Sequence, residues 1–66
     1  MKVFVATQAD RFLGIYRVRE SAISRILRDM HNNNVVETAI HSATINFCNH
    51  GNNSYDIWKI IPIEVE

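Results

Sequence analysis

A single cysteine, Cys48, in a chain of 66 residues rules out an internal disulfide, so any fold must be held by one small apolar core. A chain this short encloses one core and buries a smaller fraction of its surface than a longer one, and residues 1–66 are expected to form a single domain. Below roughly 70–80 residues such a core rarely contributes more than about 3–5 kcal/mol, and small folds recruit disulfides, metals or partner chains. Hydrophobic residues make up 47% of the sequence, more than so small an interior holds, so self-association, most simply a homodimer, is expected. One cysteine gives no reason to place the protein in an oxidising compartment. The start Met1-Lys2-Val3-Phe4-Val5 has no signal-peptide pattern, and no stretch nears the roughly 18 uninterrupted apolar residues of a spanning helix. The expectation is a cytoplasmic protein without a membrane role.

Seven basic and seven acidic residues cancel, but unevenly. Lys2, Arg11, Arg17, Arg19, Arg25 and Arg28 precede His31 with only Asp10, Glu20 and Asp29 among them, whereas Lys59 stands against Glu37, Asp56, Glu64 and Glu66. Such a dipole suits head-to-tail association or an electrostatically steered partner.

Lys2 to Gln8 alternates, with Val3, Val5 and Thr7 on one face and Phe4, Ala6 and Gln8 on the other, and its β-branched content favours a strand. Ala9-Asp10-Arg11 is short enough for a hairpin, and Phe12 to Val18 is again rich in strand formers, with Gly14 marking a bulge or a close backbone approach. From Glu20 the period changes: Ala22, Ile23, Ile26, Leu27 and Met30 fall at helical spacing while Ser24, Arg25, Arg28 and Asp29 face away. Ser21 is the expected cap of this helix, which would run about three turns. His31-Asn32-Asn33-Asn34 would end it, since Asn adopts the left-handed conformation that closes helices more readily than other non-glycine residues.

Val35 to Cys48 is ambiguous. Thr38 and Ile40 alternate in one parity and Ala43, Ile45 and Phe47 in the other, so the expected strand needs a bulge near His41-Ser42. The competing reading is a second helix through Val36, Ala39, Ile40 and Ala43, against which the β-branched content argues. Asn49 to Asn53 is a loop by composition, and Tyr55, Ile57, Ile61, Ile63 and Val65 share one parity through a last strand that Pro62 places at an edge or whose pairing it ends. The expected fold is α+β in the order ββαββ, one antiparallel sheet with one amphipathic helix across one face. Phe4, Tyr16, Trp58 and Ile60 are expected on the other, uncovered face, as an interface patch.

Catalytic and metal chemistry find little support. Cys48-Asn49-His50 sets two zinc-ligand types close together, but no paired C-x-x-C or H-x-x-x-H pattern accompanies them, and Cys48 and His50 would share one strand end while His31 ends the helix. Loop histidines and a buried free cysteine are the plainer reading. Cys48, His50 and Asp56 or Glu37 form a nucleophilic triple only on paper, and with two glycines there is no phosphate-cradling loop. Neither enzyme activity nor a cofactor is expected. Nucleic-acid binding rests on Arg11, Arg17, Arg19, Arg25 and Arg28 with Phe12 and Tyr16 interleaved, since guanidinium forks bind phosphates and aromatic faces stack on bases. Protein binding needs no motif, and Trp, Tyr and Arg are enriched at hot spots. The expected partner surface is therefore Arg11, Tyr16, Arg17, Arg19, Arg25, Arg28, Trp58 and Ile60.

Lys2-Val3-Phe4-Val5-Ala6-Thr7, then Gly14-Ile15-Tyr16, then Glu20-Ser21-Ala22 opening an amphipathic helix, resembles the start of small uncharacterised accessory proteins encoded by bacteriophages and prophages. The resemblance spans the N-terminal third of the chain and carries no shared site motif. It implies an accessory protein, some of whose kind bind and disable a host enzyme or a defence complex such as a CRISPR effector. The functional expectation is thus a non-enzymatic binding protein that modulates or inhibits a host macromolecule. A small nucleic-acid-binding regulator is the alternative, and a structural subunit of a larger particle a third possibility.

Overall fold

A computed structural model describes residues 1–66. Strands β1 (Lys2–Gln8) and β2 (Arg11–Tyr16) form the first hairpin, and β3 (Ser54–Tyr55) and β4 (Trp58–Glu64) the second. The two join in an antiparallel sheet of order β2-β1-β4-β3, so the first and last long strands are neighbours at its centre. The fold class is the expected α+β.

Between the hairpins run helix α1 (Arg19–Asn32) and helix α2 (Glu37–Thr44), the latter continued by a π-helical turn over Ile45–Asn49. The expected order ββαββ is therefore corrected to ββααββ, because 35–48 is helical rather than a bulged strand. Ala43 and Phe47, one helical turn apart, are both fully buried while Ile40 packs against the same core. With the second hairpin supplying two strands, helical spacing of these three side chains outweighs the β-branched content around them.

The chain ends of the elements follow local chemistry. The two-residue turn Ala9-Asp10 holds Ala9 at φ 54°, the sign that tight hairpin turns require. Helix α1 begins at Arg19 after an extended Val18 with no side-chain cap, so Ser21 lies within the first turn and is not the cap. At its other end Asn34 takes φ 59°, the Asn34 amide donates to the His31 carbonyl (3.1 Å), and the Val35 amide to the Met30 carbonyl (3.0 Å). These two bonds make a Schellman close, with half-buried Val35 packed on the core beside Met30.

The core lies between the helices and one sheet face. It comprises Ala6, Ala22, Ile23, Ile26, Met30, Ala43, Phe47, Trp58 and Ile60, with Phe4, Leu13, Tyr16 and Leu27 packed around them. Cross-strand register puts Phe4 opposite both Tyr16 and Pro62, Ala6 opposite both Gly14 and Ile60, and Gln8 opposite Trp58. The face expected to be bare is thus the covered one. Small side chains at Ala6 and Ala22 let α1 approach it, while Gly14 makes room for Tyr16, whose hydroxyl and ring an added Cβ would meet at 2.7–2.9 Å. The register shifts beside Gly14, between Ala6 and Thr7. Asp29, expected to face away, is buried and accepts a hydrogen bond from Trp58 Nε1 at 3.1 Å, while Leu27 is half-buried.

Candidate functional site

The opposite face of the sheet has nothing packed on it, and its composition is unusual for a water-facing antiparallel sheet. Such a face normally alternates to polar side chains. Here Val5 sits between Ile15 of β2 and Ile61 of β4, and Val3 beside Ile63. Thr7 sits between Phe12 and Lys59, and Arg17, the residue after β2, is exposed in a bend beyond the strand. Phe12 is 64% exposed, Ile15 58%, and Ile61 and Ile63 each 44%. Contiguous rows of large apolar side chains at this exposure are informative, where single ones would not be. The same strands bury Trp58 and Ile60 and expose Ile61 and Ile63 because a strand sends successive side chains to opposite faces.

This face also borders unpaired backbone. Strand β2 is one edge of the sheet, and β3 pairs only with Trp58 and Lys59, so Pro62 lies beyond its cover, as the edge position of a proline requires.

The eight side chains expected at the partner surface do not converge. Trp58 and Ile60, 5% and 2% exposed, belong to the core. Arg11 stands at the hairpin end, hydrogen-bonded to Gln8 Oε1. Arg19 is an internal clamp: its guanidinium donates to the carbonyls of Phe47 (2.7 Å) and Asn52 and to Asn53 Oδ1 (3.2–3.3 Å), tying the loop after the π turn to the start of α1. Tyr16, Arg25 and Arg28 do come together, with Glu20, Ser21 and Ser24, along a shallow groove of about 320 Å³ between α1 and β2. Within it Arg25 approaches Asp29 only to 3.9 Å, and its Nη1 is buried without a hydrogen-bond acceptor. Glu20 places a carboxylate in the same groove, which weakens it as a site for anions.

A second groove of about 280 Å³ is lined by His31, Glu37, Ile40, His41 and Thr44. Nowhere do three or more His, Cys, Asp or Glu side chains gather with the geometry of a metal site. Cys48, expected to be buried, is exposed. No helix is long and apolar enough to cross a membrane.

The residues that sequence reasoning missed are those of the open face itself, Val3, Val5, Ile15, Ile61 and Ile63. The signal was present. Ala6 and Gly14 mark the parity on which a helix can lie close, and Lys59 and Thr7 mark the other as the one reaching water. No family model matches the chain, and neither a curated protein nor a solved structure matches it.

Proposed function

We propose that the protein is a non-enzymatic accessory protein that acts by docking the open face of its sheet on another macromolecule. The reading is carried by one observation: the apolar rows Ile15-Val5-Ile61 and Val3-Ile63 stand uncovered beside exposed Phe12. A chain that leaves this much aliphatic surface in water gives up stability unless something covers it. The phage-type resemblance of the N-terminal third gives the reading its biological form, a protein that modulates or inhibits a host macromolecule, with inhibition of a defence complex such as a CRISPR effector as its sharpest version. The test is capture from host lysate by the wild type and by the double variant Ile15→Asp, Ile61→Asp, both first shown to be folded by circular dichroism. A host macromolecule held by the wild type and released by the variant supports the reading; equal retention by both, or none by the wild type, contradicts it.

A second reading, a small nucleic-acid-binding regulator, is favoured by the groove that places Tyr16 beside Arg25 and Arg28. Two guanidinium groups and an aromatic ring on one surface, set against the one carboxylate of Glu20, suit a phosphate backbone and an unstacked base. Salt-dependent retention on DNA or RNA that disappears in Arg25→Ala, Arg28→Ala and persists in the sheet-face variant would select it.

A further inference from the structure

We infer that the free edge of β2 and the groove beside it form one site, which takes an extended acidic segment of a protein partner as a further strand of the sheet. This goes beyond the docking of the open face and does not rest on it.

Hydrogen bonding decides which backbone groups face outward. Met1 and Val65 exchange both of their bonds, and the Ala9 amide donates to the Ile57 carbonyl. The odd-numbered residues of β1 therefore bond to β4 and the even-numbered ones to β2. Phe4, Ala6 and Gln8 thus bond to their register partners Tyr16, Gly14 and Arg11. Ile15 and Phe12, opposite Val5 and Thr7, are left with amides and carbonyls turned away from β1, on an edge that no other strand covers. The other edge of the sheet is closed to such pairing. There the outward residues of β4 are Trp58, Ile60, Pro62 and Glu64; Ile60 already donates to the Asn53 carbonyl (2.8 Å), and Pro62 has no amide to offer.

Register fixes what a strand added at β2 would meet. Its side chains beside Ile15 and Phe12 would lie on the apolar open face, and the alternate ones, beside Gly14 and Tyr16, would enter the groove lined by Ser21, Ser24, Arg25 and Arg28. Arg11 and Arg19 are engaged by hydrogen bonds within the chain, but Arg25 and Arg28 are not. Asp29, 3.9 Å from Arg25, already accepts from Trp58 Nε1. With Arg11 and Arg17 at the two ends of β2, four guanidinium groups surround this edge, against Asp10 in the hairpin turn, Glu20 in the groove and the buried Asp29. A segment with a carboxylate at every second residue and apolar side chains between is complementary to both sides of the edge. Main-chain bonds hold such a strand and alternate side chains select it, and the six residues of β2 offer it a ladder of about 20 Å. A nucleic acid would satisfy the guanidinium groups but has no run of amides and carbonyls to pair with Phe12 and Ile15.

The test is titration of the full chain, followed by amide nuclear magnetic resonance, with a blocked peptide of about seven residues alternating valine and glutamate. Shifts are expected at Phe12, Ile15, Tyr16, Arg25 and Arg28, and exchange of the Ile15 amide, unpaired in the free chain, should slow at least about tenfold at saturation. Lysine in place of glutamate in the peptide, or Arg25→Ala with Arg28→Ala in the protein, should weaken binding at least about tenfold. N-methylation of the valine amides, which would face β2, should abolish binding, whereas N-methylation of the glutamate amides, which would face water, should leave it. These methylated peptides carry the test with the protein unaltered, should the arginine variant unfold. No binding of the valine-glutamate peptide, binding indifferent to the lysine exchange or to the methylation pattern, or shifts confined to Val3, Ile61 and Ile63 would each overturn the inference. So would an oligothymidylate of about ten nucleotides that binds at Arg25 and Arg28 where the peptide does not, which would select the nucleic-acid reading.

Discussion

Replacing Phe47 by Ala tests the helical course of residues 37–49 and the core that depends on it. Phe47 is fully buried in the π turn, whereas Ile45, two residues before it, is half-buried. Truncating a fully buried Phe costs about 3–5 kcal/mol, the lost transfer energy plus the cavity that remains. A domain of this length holds about 3–10 kcal/mol in total at typical stability per residue, so Phe47→Ala is expected to consume most of it. Ile45→Ala, from a position already partly in water, is expected to cost about 1–2 kcal/mol, less than the full core penalty. At about 4–8 °C per kcal/mol for a domain of this size, the Ile45 variant should melt cooperatively at a midpoint lowered by about 4–16 °C. The Phe47 variant should show little or no cooperative transition. Circular dichroism melts read both, with the single Trp58 as an independent fluorescence probe. Were the segment a strand, Ala43, Ile45 and Phe47 would share one face, and the two truncations would cost alike; equal melting shifts would refute the reasoning.

Ala9→Gly should raise stability by about 0.5–1 kcal/mol, because the φ of 54° at Ala9 strains a residue with a Cβ and not a glycine; a midpoint that falls would count against this turn geometry. Asp29→Leu should cost about 1–3 kcal/mol by leaving Trp58 Nε1 buried without its acceptor, and Asp29→Asn, which keeps an acceptor, should cost less in the same urea titration. Arg19→Met should release the segment after the π turn, costing about 2 kcal/mol in lost charge-assisted hydrogen bonds. Hydrogen exchange should quicken at Asn52 and Ile60, whose amides bond to Asn46 and Asn53, while the middle of α1 keeps its protection.

Much of this architecture is legible along the chain. Alternation marks β1 and β2, the spacing of Ala22, Ile23, Ile26 and Met30 marks α1, and the asparagine run marks its end, each a local signal read by a local rule. What is not legible depends on which elements meet. Whether Val35 to Cys48 becomes strand or helix turns on whether the sheet already has its strands. Tyr55 and Trp58 settle that by pairing across a two-residue turn in which Asp56 takes φ 54°, a turn that carries no glycine to announce it. Burial of Asp29 follows from the position of Trp58, 29 residues away, and the engagement of Arg19 from a loop 33 residues on. The sheet faces were exchanged for a related reason. Size points to Trp58 and Tyr16 as interface residues, whereas the decisive residues are the small ones, Ala6, which admits the helix on its side, and Gly14, which admits the Tyr16 ring beneath it.

The central claim, that the open sheet face is the surface on which this protein docks its partner, is tested most directly by methyl and amide nuclear magnetic resonance as the macromolecule captured from lysate is titrated in. Shifts that move on titration should be confined to Val3, Val5, Ile15, Ile61 and Ile63, with Ile23, Ile26 and Met30 in the core unmoved. Movement centred instead on Tyr16, Arg25 and Arg28 in the α1 groove, with the sheet methyls still, would contradict the claim.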